Sequence, residues 1–312
     1  MSDVSRLGPE SGWLARLAAS RFGRAVVALL RWGIPLALLA IIAHRLTELG
    51  WGEIWRARPA GIGFYLLLVA QFFLQPFGDY FVYRNLWGLG QTPPMAVILR
   101  KRLMNTFMLD YSGEAFFYFW ANRNLSLPPG QVAHGIKDSN LLSGGAGLAM
   151  VWILGLILLL TGGLHIPVLP GQHWLYVLIG TAPLMLCAIL ILAHRKVTVL
   201  SRAQLFATFG IHFLRACLVL GIEFGLWQVS GALPTAVASL QFVALRLVIT
   251  RLPIVPNKDL IFVGIGMAAA GAAHAAVTPV ATVLVILAAA DLILAATVAA
   301  LTALPGMLRK AA

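Results

Sequence analysis

Residues 141–160, LLSGGAGLAMVWILGLILLL, run for 20 positions without one ionisable side chain. Coiled into an α-helix, such a run is about 30 Å long, which matches the hydrocarbon core of a bilayer. Further apolar runs at 61–75, 174–193 and 279–304 read the same way. The rest of the chain agrees, since 60% of its 312 residues are hydrophobic and 11% are charged, against about 25% charged in an ordinary soluble domain. A water-soluble fold of this size has nowhere to hide so much apolar surface. The sequence therefore predicts an all-α, polytopic membrane protein without a soluble catalytic domain.

Charge in the connecting segments sets the expected topology. The 23 Lys and Arg exceed the 11 Asp and Glu to give +12, and in a membrane protein that excess mostly marks cytoplasmic loops. It is no argument for nucleic acid, because neither zinc-finger nor helix-turn-helix spacing accompanies it. Residues 1–24 form a basic segment with Arg6, Arg16, Arg21 and Arg24, placed in the cytoplasm as an interfacial helix or a disordered leader. A single transmembrane domain is expected over 25–312. Its first span, 25–43, reads as an uncleaved signal anchor. The mixed segment 45–58, with Trp51 and Trp55, belongs outside, and a second span at 61–83 returns to Arg84, Arg100, Lys101 and Arg102 inside. Residues 161–173 carry no Lys or Arg and belong outside, Arg195, Lys196 and Arg202 inside, 230–234 outside, and Arg309 and Lys310 inside. Both termini are then cytoplasmic.

Parity closes with about six spans if residues 95–128 and 236–274 each enter and leave on one side. Both are charged and broken, the second by Pro253 and Pro256, and such segments are tolerated at membrane depth only where protein or water surrounds them. They read as helical hairpins, re-entrant or kinked and fully crossing. The order becomes span, span, hairpin, span, repeated with opposite orientation, an inverted repeat of the kind found in secondary transporters. A weak internal echo runs alongside, with Leu99-Arg100 up to Phe116 in parallel with Leu245-Arg246 up to Phe262.

A carboxylate at the bilayer centre costs about 2.5–3.5 kcal/mol on the lenient insertion scale, so each buried acid needs a partner or a task. Arg215 and Glu223 lie eight residues apart on one face of a helix; they line a cavity, or are each neutralised by neighbouring helices. Asp110-Tyr-Ser-Gly-Glu114 puts a flexible joint beside two carboxylates. Glu114 then gates or relays a proton, or simply caps the next helix. In the second half, Arg251 and Lys258 flank the Pro253–Pro256 break, and such cations suit a phosphate head group. The plainer alternative pairs Lys258 with Asp259. Asp79 with Arg84, and Lys137 with Asp138, read as interfacial pairs, and Asp291 requires a partner, expected from the arginines of the second hairpin. Cys187 and Cys217 fall in apolar runs and read as small hydrophobes. No zinc spacing appears among the histidines and no Gly-Lys-Ser or Gly-Lys-Thr of a P-loop occurs; no metal and no cofactor are expected.

The Ser-Gly-Glu-Ala-Phe-Phe of the first hairpin, the Lys-Asp-Ser-Asn at 137–140 and the Leu-Pro-Ile-Val-Pro-Asn-Lys-Asp-Leu of the second together resemble the lysylphosphatidylglycerol synthase transmembrane-region family. The likeness covers most of the chain. It implies a flippase-like bacterial inner-membrane protein that moves an anionic lipid or lipid-linked group between leaflets, with two hairpins of opposite orientation. The Gly-Glu of that family's first motif falls on Gly113 and Glu114. Its second motif usually reads Pro-Gly-Gly with a downstream glutamate, whereas this chain has Pro256-Asn257-Lys258 with Asp259 as the nearby acid. The chain ends at Ala312, so the aminoacyl-transfer domain of the synthases is not expected to follow. On this reading the membrane lipid is the substrate, bound at its head group by Arg246, Arg251, Lys258 and Arg215. Glu114, Asp110, Asp259 and Glu223 gate the cleft or carry protons, and a lipid-modifying enzyme is a candidate partner. The alternatives are an intramembrane enzyme on a lipid or polyprenyl phosphate, with Glu114 or Asp110 as base, and a non-catalytic membrane subunit.

Overall fold

A computed structural model describes residues 34–107, 111–164, 198–251 and 258–311 together with Trp174 and Thr181, the ends 34–38 and 303–311 as backbone only. All regular structure among these residues is helical. Helices α1 (Ile34–Leu49) and α2 (Trp51–Arg56) precede the long α3 (Ile62–Trp87). A hairpin of α4 (Met95–Phe107) and α5 (Ser112–Asn124) follows, then α6 (Pro129–Leu160). The second half repeats that order with α7 (Arg202–Ser230), the hairpin α8 (Ala236–Arg251) and α9 (Lys258–Ala269), and α10 (Val277–Ala311).

Four of these, α3, α6, α7 and residues 277–302 of α10, are long and apolar enough to cross a membrane. The chain is therefore a helical membrane protein. Of the expected first span at 25–43, residues 34–43 form the start of α1, which runs on to Leu49, and 25–33 lie outside the described residues; so do nearly all of the span expected at 174–193, the basic segment 1–24, the linker 165–173, Cys187, Asp110 and the Pro253–Pro256 break. The apolar faces that these helices turn outward carry Leu66, Phe77, Leu156, Leu214 and Ile293 in exposed positions, which suits lipid and not water.

Packing follows from where small and large side chains fall. Helices α3 and α7 lie antiparallel: Asn85 donates to Thr208 Oγ1 at 3.0 Å, Arg215 to Asp79 at 2.7 Å, and Gly225 faces Leu67. As the residue number rises in one it falls in the other. Helix α6 runs beside α7 in the same direction, through Ser139 with His212 at 3.2 Å and Ser143 with Arg215 at 3.0 Å. Each hairpin leans on the span of the opposite half, α4 on α10 and α8 on α6. Gln241 of α8 donates to the Gly163 carbonyl at the end of α6 (2.8 Å), and Arg100 of α4 to the Thr302 carbonyl of α10 (2.9 Å). The main core gathers Phe64, Leu226, Trp227, Phe242, Phe262 and Leu284, all fully or nearly fully buried. A second cluster under the first hairpin stacks Trp87 on Phe117 with Tyr83 beside them.

Hairpin α4–α5 is tied at its tip. Tyr111 takes a left-handed backbone at φ 70°, Ser112 donates to the Met104 carbonyl at 2.7 Å, and the Gly113 amide donates to Asn105 Oδ1 at 2.6 Å. The arms approach so closely that a Cβ at Gly113 would collide with the Lys101 carbonyl. Only glycine fits there.

Candidate functional site

The basic run Arg100-Lys101-Arg102 stands on α4, where successive side chains turn by about 100°. The three therefore point three ways. Arg100 is exposed and reaches α10. Lys101 is 5% exposed, and its ammonium donates to Asp79 Oδ2 at 2.8 Å and lies 3.4 Å from Glu114 Oε1. Arg102 donates to Asp291 Oδ1 at 2.6 Å and to Gln75 at 3.0 Å, with its guanidinium over the Phe72 ring.

Several expected pairings are thereby corrected. Asp79 does not pair with Arg84, which is exposed; it is shared by Lys101 and Arg215. Asp291 takes its arginine from the first hairpin, not the second, because α10 packs on α4. Arg215 and Glu223 are each neutralised from neighbouring helices, one of the two arrangements expected of them: Arg215 goes to Asp79, while Glu223 faces Arg246 at 3.7 Å. Asp259 pairs with Arg246 at 3.2 Å. Lys137 and Asp138 do form a pair at 3.2 Å, with the lysine half exposed and Asp138 fully buried and bonded by Thr198.

Two ion networks result, one in each half, and they match residue for residue. The first is Asp79 on α3, Lys101 on α4 and Glu114 on α5, with Lys101 over the Phe117 ring at 5.7 Å. The second is Glu223 on α7, Arg246 on α8 and Asp259 on α9, with Arg246 over the Phe262 ring at 5.5 Å. From cation to second acid is 13 residues in both, and from cation to aromatic ring 16 in both. From first acid to cation is 22 residues in one and 23 in the other. The register differs by one from the echo expected of the sequence, which set Arg100 against Arg246. Lys101 is the residue that occupies the equivalent place.

The networks differ in tightness. The first is sealed among Tyr83, Phe117 and Trp87 and reinforced by Arg215. The second is looser, and neither Glu223 Oε1 nor Arg246 Nη1 has a hydrogen-bond partner though both atoms are buried. Those two residues face a cavity of about 480 Å³ bordered by α3, α4, α6, α7, α8, α10 and the start of α9. Five cations line it, Arg102, Arg215, Arg246, Arg251 and Lys258, against the two acids Glu223 and Asp291. Leu68, Phe72, Val219, Leu220, Leu287 and Leu294 supply an apolar wall. The combination is chemically amphiphilic.

Of the residues expected at the site, Arg215, Glu223, Arg246, Arg251 and Lys258 all line this cavity. Arg251 lies across α6 at Gly147, where a Cβ would collide with the guanidinium. Glu114 is set back; its Oε2 accepts from Asn105 at 2.9 Å, and it shares with Asn105, Tyr111 and Lys258 a smaller cavity of about 190 Å³ between the two hairpins. Asp259 is half exposed outside the main cavity, and Asp110 lies outside the described residues. Asp79 and Lys101 of the first network, and Arg102, Asn105, His212 and Asp291 of the cavity wall, were not among the residues expected at the site. Their signal was the burial that an interior charge demands, which the sequence marks but does not partner. Among the described residues no group of His, Cys, Asp or Glu comes together that could hold a metal ion. Comparison with protein-family models, curated proteins and solved structures finds nothing that matches this chain.

Proposed function

We propose that the chain moves an anionic lipid or lipid-linked group across the bacterial inner membrane. The observation that carries the reading is the cavity itself: five cations line it, and they outnumber the four acids around them even when Asp79 and Asp259, which pair with Arg215 and Arg246 from outside the cavity, are counted with Glu223 and Asp291. Each such charge is costly at membrane depth and is retained where it lines a pathway or pairs with a neighbour. A phosphate head group fits that excess, with arginine acting as a fork and lysine as a point charge. The apolar wall suits the first carbons of the acyl chains, which remain in lipid.

The architecture supports an inverted repeat of span, hairpin and span in each half, within a six-span topology. The antiparallel α3 and α7 would sit about the pseudo-two-fold axis, and the swapped contacts of α4 on α10 and α8 on α6 are the pairs that such an axis exchanges. Ligand sites in inverted repeats lie at that interface. Arg84 at the end of α3 and the pair Arg309-Lys310 near the C-terminus fit one cytoplasmic side. The resemblance to the lysylphosphatidylglycerol synthase transmembrane region points to the same cargo class.

The experiment is transbilayer movement of a fluorescent phosphatidylglycerol in liposomes carrying the purified chain. Movement well above that of protein-free liposomes is expected. The variant Arg215→Gln/Arg251→Gln should slow it by about tenfold or more, the equivalent of ~1.4 kcal/mol. A rate equal to that of protein-free liposomes would overturn the reading.

A further inference from the structure

The cavity is more symmetric than the charges around it. On α3 it is lined by Leu68, Gln71, Phe72 and Gln75. On α7 it is lined by His212, Arg215, Ala216 and Val219, each 144 residues after its counterpart. Asn105 and Thr250, 145 apart on the two hairpins, also both line it. The centre of the cavity is thus built from equivalent positions of the two halves.

The remaining wall is one-sided. Glu223, Arg246, Leu220 and Leu294 line the cavity. Their counterparts, Asp79, Lys101, Pro76 and, at the 144-residue offset that also relates Leu287 to Ser143, Met150, do not. Glu223 stands eight residues beyond Arg215 on α7, and Arg215 is level with Asp79. The two networks are therefore separated by about 12 Å along the helix axis. One closed network lies toward one end of a central cavity, and one loose network with the same spacing lies toward the other.

We infer that the networks are alternating gates: Asp79–Lys101–Glu114 is shut here, Glu223–Arg246–Asp259 is open, and a second state of the protein reverses them. The physical case is that two equivalent half-structures rest in two different arrangements. Each half therefore has both arrangements within reach, and exchanging them would leave a cavity with the same centre open at the other end. Arg215 ties the first gate to α7, while the second gate has no such extra cation at the counterpart, Gln71. That difference favours the state seen. Lys101 and Arg246 are positioning residues in this scheme, because they set which side is open without having to touch the cargo in both states. The inference deepens the transport reading by naming what switches the site, and rests on it.

The test uses the full chain in liposomes, with Cys187 and Cys217 first replaced by alanine, and a charged thiol reagent as probe. Single cysteines are placed at the counterparts Leu294→Cys, which lines the open side, and Met150→Cys, which is closed off. In the parent, position 294 should label much faster than 150. Lys101→Met removes the cation of the shut gate, so labelling at 150 should rise and at 294 fall, changing their ratio by about tenfold for a shift of ~1.4 kcal/mol. Arg246→Met should move the ratio the opposite way, and the double variant should return it toward the parent. Glu114→Gln, which takes away a single partner of Lys101, is the milder substitution should Lys101→Met fail to fold, and it should shift the ratio in the same sense. Variants that remain monodisperse yet leave the ratio unchanged, or that move both probes together, would overturn the gates. Lipid movement is not read here, so a reciprocal shift in a chain that moves no lipid would sink the transport reading alone.

Discussion

Asp79 is the residue on which the first network turns. It is 7% exposed and holds Lys101 at 2.8 Å and Arg215 at 2.7 Å. Breaking a buried ion pair from one side is more damaging than never having built it, since the partner charges stay behind in low dielectric, at a cost of about 3–5 kcal/mol. Asp79→Ala leaves an ammonium and a guanidinium close together with one fewer acid, and is expected to lower the unfolding temperature in detergent markedly. Glu53 pairs with Arg56 at the surface, both more than half exposed, and Glu53→Ala should change stability by no more than ~1 kcal/mol. Similar melting shifts for the two variants would mean that the Asp79 network is solvated. The sequence marked Asp79 as expensive but offered the adjacent Arg84 as its partner. Arg84 lies five residues on, on a different face of α3 from Asp79, and the true partners come from α4 and α7.

The hairpins are the elements that reading the sequence served best. Prolines, a Ser-Gly joint and charges inside apolar stretches identify 95–128 and 236–274 as something other than plain spans, and the described parts are helical hairpins. What sequence could not supply was rotation. In Arg100-Lys101-Arg102 the three cations are chemically interchangeable, and only the packing of α4 decides that the second faces Asp79 and the third Asp291. The same holds for Arg215 and Glu223, which share a face of α7 as their spacing requires, yet look toward different neighbours about two turns apart. The Arg102–Asp291 bond joins α4 to α10, with side chains 15% and 27% exposed. A double-mutant cycle of Arg102→Gln and Asp291→Asn, read by thermal unfolding, should give a coupling of about 1 kcal/mol or more, as expected for groups in direct contact. Additive effects would show that α10 and α4 are held together by apolar contact alone.

At the scale of the whole molecule, composition was decisive for the class and nearly silent on the site. A chain with so few charges must be a bundle of apolar helices in lipid, and four helices meet the length and polarity needed to cross it. The cavity could be anticipated only as a consequence of interior charges, because its walls come from seven helices of both halves. The matched spacings of the two networks were present in the sequence all along. They are hard to see there because aspartate stands for glutamate and lysine for arginine, and the triple basic run offers three registers. Interior charge in a membrane has two uses, to hold helices together and to receive a polar solute. The sealed network ties α3, α4, α5 and α7, while the looser one borders the cavity.

Contact between a head group and that cavity is what everything above depends on, and Leu220 offers a direct probe. It lines the cavity on α7, whereas Leu218 on the same helix is 46% exposed on the outer surface. A photo-crosslinking amino acid placed at each position, in liposomes of mixed phosphatidylglycerol and phosphatidylcholine, will record which lipid lies there by mass spectrometry of the adducts. The account predicts that adducts at 220 are enriched in phosphatidylglycerol over the bulk mixture and lose that enrichment in Arg215→Gln/Arg251→Gln, while adducts at 218 follow the bulk. Identical lipid composition at the two positions would contradict it.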